Sequence, residues 1–159
     1  MQEVKSGCGE HRQVLPEEAG GAAPRAEERT FEAVVDQLPE VLSFVEEHLE
    51  KAGFGARTRT QIMMACEEIF VNIADYAYIP GRGSVLVRLE LTDEPAVEIT
   101  FTDEGVPFDP LAKKDPNVTL SAEERQIGGL GIFMAKELTD RIAYERRDGR
   151  NILKMTKLL

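Results

Sequence analysis

Two alternating runs, "SVLVRLEL" at 84–91 and "AVEITFTD" at 96–103, limit the folds open to this chain more than any other feature. In the first, Val85, Val87, Leu89 and Leu91 fall on one side, and in the second Val97, Ile99 and Phe101 do the same. Successive side chains of a strand point to opposite faces, so each run buries one face and wets the other. The "TDEP" between them is turn chemistry, which makes the pair a hairpin. A hairpin with one apolar face needs a second layer laid against it.

That layer is legible on both sides of the hairpin. "LPEVLSFVEEHLEKAG" sets Val41, Leu42, Val45 and Leu49 at helical spacing, with Pro39 where a first-turn proline is tolerated and Gly53 where a helix stops. A second helix is expected from Thr58 to about Tyr78, opened by Thr58-x-x-Gln61 as a capping box. "GGLGIFMAKEL" reads as a glycine-rich lead into a third. Further strands are expected at "RTFEAVV", "RIAYERR" and "NILKMTKLL", the last two joined across Asp148-Gly149, a strong hairpin signal. The expected fold is an α+β two-layer sandwich, a mixed and mostly antiparallel sheet of about five strands with three helices over one face. Residues 1–28 are Gly, Ala, Pro and Glu without apolar periodicity and read as a disordered tail, which leaves 29–159 as the domain. Residues 110–127 form a long irregular segment, and a loop of that length is usually functional or mobile.

Composition narrows the function classes. The 159 residues suffice for one domain with a core. No apolar run approaches the roughly 18–20 residues of a membrane span. The opening "MQEVKSGCGEHRQ" lacks the apolar core of an export signal. A net charge of -10 argues against general affinity for nucleic acid or anionic lipid and favours a basic partner. Cys8 and Cys66 make no disulfide framework, and with His11 and His48 they offer no metal-ligand spacing. A cytoplasmic, reduced, single-domain protein is the expectation.

Three stretches carry chemistry. In "ACEEIFVN", Glu68 and Asn72 lie about 40° apart on a helix surface, whereas Glu67 is about 140° from Asn72. Ile62, Cys66, Ile69, Ile73 and Ala77 form the buried stripe, which Glu68 and Asn72 border on one side. The amide oxygen suits a hard cation such as Mg²⁺, and the carboxylate suits proton abstraction from a hydroxyl. Acids beside an apolar stripe are also, more commonly, a solvated edge. In "FTDEGVPFDP", Asp103 ends an apolar strand and Gly105 follows, so a carboxylate stands at a sheet edge where it can accept from an exocyclic amine. A plain strand-ending turn would look the same. In "RQIGGLGIFMAKEL", Gly128, Gly129 and Gly131 leave backbone N–H groups able to face a phosphate at a helix start, or simply allow close packing. Lys113, Lys114 and Arg125 precede them as sources of positive charge or as ordinary surface residues. The run is neither a Walker A loop nor a dinucleotide fingerprint.

The order of these stretches resembles the N, G1 and G2 boxes of the histidine-kinase-like (GHKL) ATPases, over roughly residues 29–159. Within that superfamily, "ACEEIFVNIADYAY", "FTDEGVPFDP" and "GGLGIFMAKELTDRIAYERRDGRNILKM" are similar to the small anti-sigma factors that are serine/threonine protein kinases. The resemblance implies the Bergerat fold, with ATP and Mg²⁺ as cofactors. It implies Glu68 as general base, Asn72 as Mg²⁺ ligand, and Asp103 on the adenine amine with Gly105 lining the base pocket. Gly128, Gly129 and Gly131 would contact the phosphates. Arg125 falls near an arginine that touches the terminal phosphate, and Asn151 sits where relatives often have a threonine near the adenine. The implied reaction is γ-phosphoryl transfer to a Ser or Thr of a STAS-type antagonist, by a homodimer that also holds a sigma factor. The rival is a nucleotide-dependent binding module of the same fold that transfers nothing. Histidine sensor kinases are set aside, because no phosphoacceptor helix hairpin is present and His48 falls inside the ATPase-like domain.

Overall fold

The computed structural model describes residues 25–112 and 130–159. Strands β1 (Ala26–Glu32), β2 (Ser84–Leu91), β3 (Ala96–Asp103), β4 (Arg141–Arg147) and β5 (Arg150–Leu158) form one sheet in the order β1-β2-β3-β5-β4. Helices α1 (Leu38–Lys51), α2 (Ala56–Tyr76) and α3 (Leu130–Leu138) make the second layer, α2 lying between the other two. Every neighbouring pair of strands is antiparallel, where the sequence suggested a mixed sheet. The reason lies in the last hairpin. The connection through α3 brings β4 back parallel to β3, but β5 then folds into the space between them, so the two parallel strands never pair.

Alternation decides which side chains meet the helices. Val85, Val87 and Leu89 of β2, Val97, Ile99 and Phe101 of β3, and Leu153 and Met155 of β5 are all buried. Against them pack Val41, Phe44, Val45 and Leu49 of α1 and Ile62, Cys66, Ile69 and Ile73 of α2. Ala65 and Phe70 are buried as well, which widens the α2 stripe beyond its sequence pattern, because α1 and α3 flank α2 on both sides. The opposite face of the sheet carries Arg88, Glu98, Thr100, Thr102 and Lys154 toward solvent.

Local chemistry explains most element ends. Pro39 occupies the first turn of α1, and Gly53 follows its end at φ +82°, a conformation that favours glycine. At the β4–β5 hairpin both Asp148 (φ 53°) and Gly149 (φ 76°) have positive φ, as a two-residue primed turn requires. β1 and α2 start elsewhere than the sequence reading placed them, and the strand expected at 29–35 gives way after Glu32 to a turn of 3-10 helix at Val35–Gln37. β1 begins at Ala26, ahead of the domain start at 29. α2 opens at Ala56 with Gly55 as an extended N-cap and no side-chain cap, so Thr58 lies inside the helix and no capping box forms. Phe54 sets that start: it is buried at 2% exposure, and its N–H closes on the Leu49 carbonyl at 3.0 Å, so the chain leaves the core directly into α2. The tail reading for residues 1–24 and the irregular segment from 113 lie outside the described residues.

Phe101 sits at the centre of the core on β3, fully buried. Replacing it with Ala is expected to cost about 3–5 kcal/mol. Urea denaturation should show a lower midpoint with an unchanged slope.

Candidate functional site

The polar site grows from the end of the apolar rows. One row across the sheet runs Phe31, Val85, Asp103, Asn151, Arg146 by register, so Asp103 points to the helix side like Phe101 before it. It is only 4% exposed. A buried carboxyl group needs hydrogen-bond donors. Asp103 Oδ1 accepts from the Gly105 N–H at 2.9 Å and from Asn151 Nδ2 at 2.9 Å. Oδ2 has no hydrogen bond among the described residues.

Gly105 is required by close approach. A Cβ there would lie 2.3 Å from the Ala77 carbonyl oxygen, which accepts from the Val106 N–H at 2.9 Å. The turn after β3 is thus pressed onto the end of α2. Arg146 donates to the Gly105 carbonyl at 2.9 Å, and Tyr78 ties the same turn from beneath. The Tyr78 hydroxyl donates to the Ser84 carbonyl at 2.5 Å and accepts from the Glu104 N–H at 2.8 Å.

On α2 the stripe is buried as expected, Glu67 is exposed, and Glu68 and Asn72 are half-buried at its border. Burial pushes the Cys66 thiol pKa up, so it is a core side chain and not a nucleophile. Asn72, Tyr76, Asp103, Tyr144 and Asn151 line one recess of about 410 Å³, partly open to solvent, whose remaining wall is apolar. A mostly apolar lining with a few convergent polar groups suits a small organic ligand. Glu68 stands one helical turn before Asn72 and touches the third segment. A Cβ at Gly131, in the first turn of α3, would lie 2.2 Å from Glu68 Oε2, so the carboxyl group rests against the α3 backbone and would have to swing aside for any side chain there.

The structure therefore brings Asn72, Asp103 and Asn151 to one recess, seats Gly105 behind it and sets Glu68 against Gly131 close by. Arg125, Gly128, Gly129, Lys113 and Lys114 lie outside the described residues. Among the described residues no group of three or more His, Cys, Asp or Glu could hold a metal. No described helix is long and apolar enough to cross a membrane.

Residues 31–157 match the family described as the histidine kinase-like ATPase domain. The chain belongs to that family. Curated relatives within reach are kinases by name. The chain is 27% identical over 103 residues to the serine/threonine-protein kinase BtrW of Bordetella bronchiseptica, covering 65% of this chain and 72% of that one. It is 26% identical over 113 residues to the serine-protein kinase RsbW of Listeria monocytogenes, covering 69% and 71%. Among solved structures, that of the RsbU and RsbW domains of Rv1364c from Mycobacterium tuberculosis superposes with a TM-score of 0.62 at 18% identity. The match covers 84% of this chain and 32% of that longer one. The histidine kinase domain of the blue-light activated histidine kinase from Erythrobacter litoralis EL346 gives 0.51 at 16% identity, covering 86% and 69%. At these identities the solved structures speak to the fold alone, an open five-stranded sheet with helices on one face, as the histidine-kinase-like ATPases have.

Sequence reading missed Tyr78, Tyr144 and Arg146. A signal existed for the last two. The Asp148-Gly149 turn sets Arg147 opposite Arg150, hence Arg146 opposite Asn151 and Tyr144 opposite Leu153, on the face of Asp103. Tyr78 had none, because its contacts depend on where the turn after β3 lands.

Burial raises the Tyr78 pKa above the ordinary tyrosine value of about 10. The neutral phenol is thus favoured in the folded state, and its contribution to stability holds below about pH 10 and fades as pH rises through the raised value. In Tyr78→Phe, that part of the alkaline loss of stability should vanish, as measured by denaturation midpoints from pH 8 to 11.

Proposed function

We propose that this chain is an ATP-dependent protein serine/threonine kinase of the anti-sigma type. It transfers the ATP γ-phosphoryl group to a Ser or Thr of a STAS-type antagonist and, in a second partnership, binds a sigma factor as a cytoplasmic homodimer. The observation that carries this reading is the convergence of α2, the end of β3 and the start of α3, with Asn72 and Asp103 in one recess and Glu68 against Gly131. Membership of the ATPase family supports the nucleotide, and the serine-kinase relatives support the acceptor.

The base end of the recess suits a purine. Asp103 keeps Oδ2 as an acceptor for an exocyclic N–H, and apolar side chains of α2 and β5 flank the ring. Toward the phosphates, the residues present fit Mg²⁺: Asn72 offers a hard amide oxygen that has no hydrogen bond among the described residues. A magnesium site built on few protein oxygens and completed by phosphate and water is the usual arrangement. When bound, the ion supplies charge neutralisation on the phosphate oxygens. Glu68 then takes the proton of the incoming Ser or Thr hydroxyl as its oxygen bonds to the γ-phosphorus. The bond from that phosphorus to the bridging oxygen breaks, and ADP leaves with the electron pair. Glu68 has no hydrogen bond or ion pair among the described residues, so its carboxylate is open to this task.

Glu68→Ala should bind ATP with native affinity yet transfer phosphate at least about 100-fold more slowly to the antagonist, read with labelled ATP and Mg²⁺. Transfer at the native rate would remove Glu68 as the base. Native ATP binding with no transfer by the unaltered protein would leave only a binding module. Asp103→Asn should weaken ATP binding about tenfold or more by calorimetry, and unchanged affinity would end the adenine assignment.

A further inference from the structure

Asn151 lines the recess, yet its carboxamide has nothing left to offer a ligand. A carboxamide carries two N–H donors and two acceptor lone pairs. Here Nδ2 donates to Asp103 Oδ1 at 2.9 Å and to the Val106 carbonyl at 2.8 Å. Oδ1 accepts from the Tyr144 hydroxyl at 2.6 Å and from the Phe108 N–H at 3.3 Å. All four positions are taken. The orientation of the amide is also settled by chemistry, since the Phe108 N–H can only donate and the Val106 carbonyl can only accept. Exchanging O and N would set donor against donor and acceptor against acceptor.

We infer that Asn151 and Tyr144 are positioning residues that set the base preference of the recess by holding Asp103 in one rotation. The inference rests on the nucleotide reading above. With Oδ1 engaged by Asn151 and the Gly105 N–H, the Asp103 carboxyl group has only Oδ2 for a ligand, as an acceptor with a fixed direction. Such a group favours a purine with an amine at position 6. It opposes a purine with an oxo group there, because two acceptors would face each other at a buried carboxyl group. Tyr144 sits behind this arrangement: its hydroxyl donates to Asn151 Oδ1 at 2.6 Å and anchors the amide against Asp103, while the Phe108 N–H and the Val106 carbonyl fix which way it faces. The preference then depends on a tyrosine that acts through Asn151.

The test compares binding of ATP and inosine triphosphate (ITP) to the full chain by calorimetry. The unaltered protein should prefer ATP by about tenfold or more, as expected for a hydrogen bond to a charged group. Tyr144→Phe keeps the ring and removes only the hydroxyl. It should weaken ATP binding about three- to tenfold and leave ITP binding unchanged, so that the preference falls. Asn151→Asp sets a second carboxyl group against Asp103, and the pair can lie together only with a proton between them. Its ATP/ITP preference should therefore recover as pH falls, a response that loss of packing alone would not produce. A preference unchanged in Tyr144→Phe, or a pH-independent ratio in Asn151→Asp, would overturn the positioning role while leaving ATP binding intact. If the unaltered protein bound neither nucleotide, the functional reading would fall and this inference with it.

Discussion

A carboxyl group buried at the end of an apolar strand organises the site end of this molecule. Asp103 has the same parity as Val97, Ile99 and Phe101, so the pleat that builds the core also carries an acid into it. Such a group is costly unless donors reach it. The register supplies Asn151 directly across the sheet, and the turn after β3 supplies the Gly105 N–H. Satisfying one oxygen in this way draws in the Val106 carbonyl, the Phe108 N–H and the Tyr144 hydroxyl through Asn151. A recess with polar groups at one end and apolar side chains around them follows from where that acid sits.

The fold was largely legible because its signals are local. Alternation in 84–91 and 96–103 is a property of consecutive residues, and both strands occupy those spans. The Asp-Gly pair of the last hairpin and the Pro39 and Gly53 ends of α1 are read from single positions. What was not legible depends on distance. The start of α2 is set by Phe54 entering the core, which overrides the Thr58 pattern. The uniform antiparallel pairing depends on β5 entering between β3 and β4, and strand signals say nothing of order in space.

The site divides in the same way. Helical spacing was enough to separate Glu68 and Asn72 from Glu67, because the angle between side chains on one helix follows from geometry. Register was enough, in principle, to bring Tyr144 and Arg146 to the face of Asp103. The saturation of Asn151 was beyond reach, since its four partners come from two separate segments, 103–108 and β4, and their distances decide the matter. The contact between Gly131 and Glu68 is of that kind too. It gives a glycine that seemed suited to phosphate a second duty, making room for an acid.

The turn after β3 is gripped from three sides, by the Ala77 carbonyl, the Tyr78 hydroxyl and the Arg146 guanidinium. A wall held that firmly is already in shape before anything arrives. Less freedom is left to freeze there on association, so more of the contact energy at that end survives as affinity. Discrimination between closely related rings should accordingly be sharp, because a stiff wall cannot shift to accommodate the wrong one.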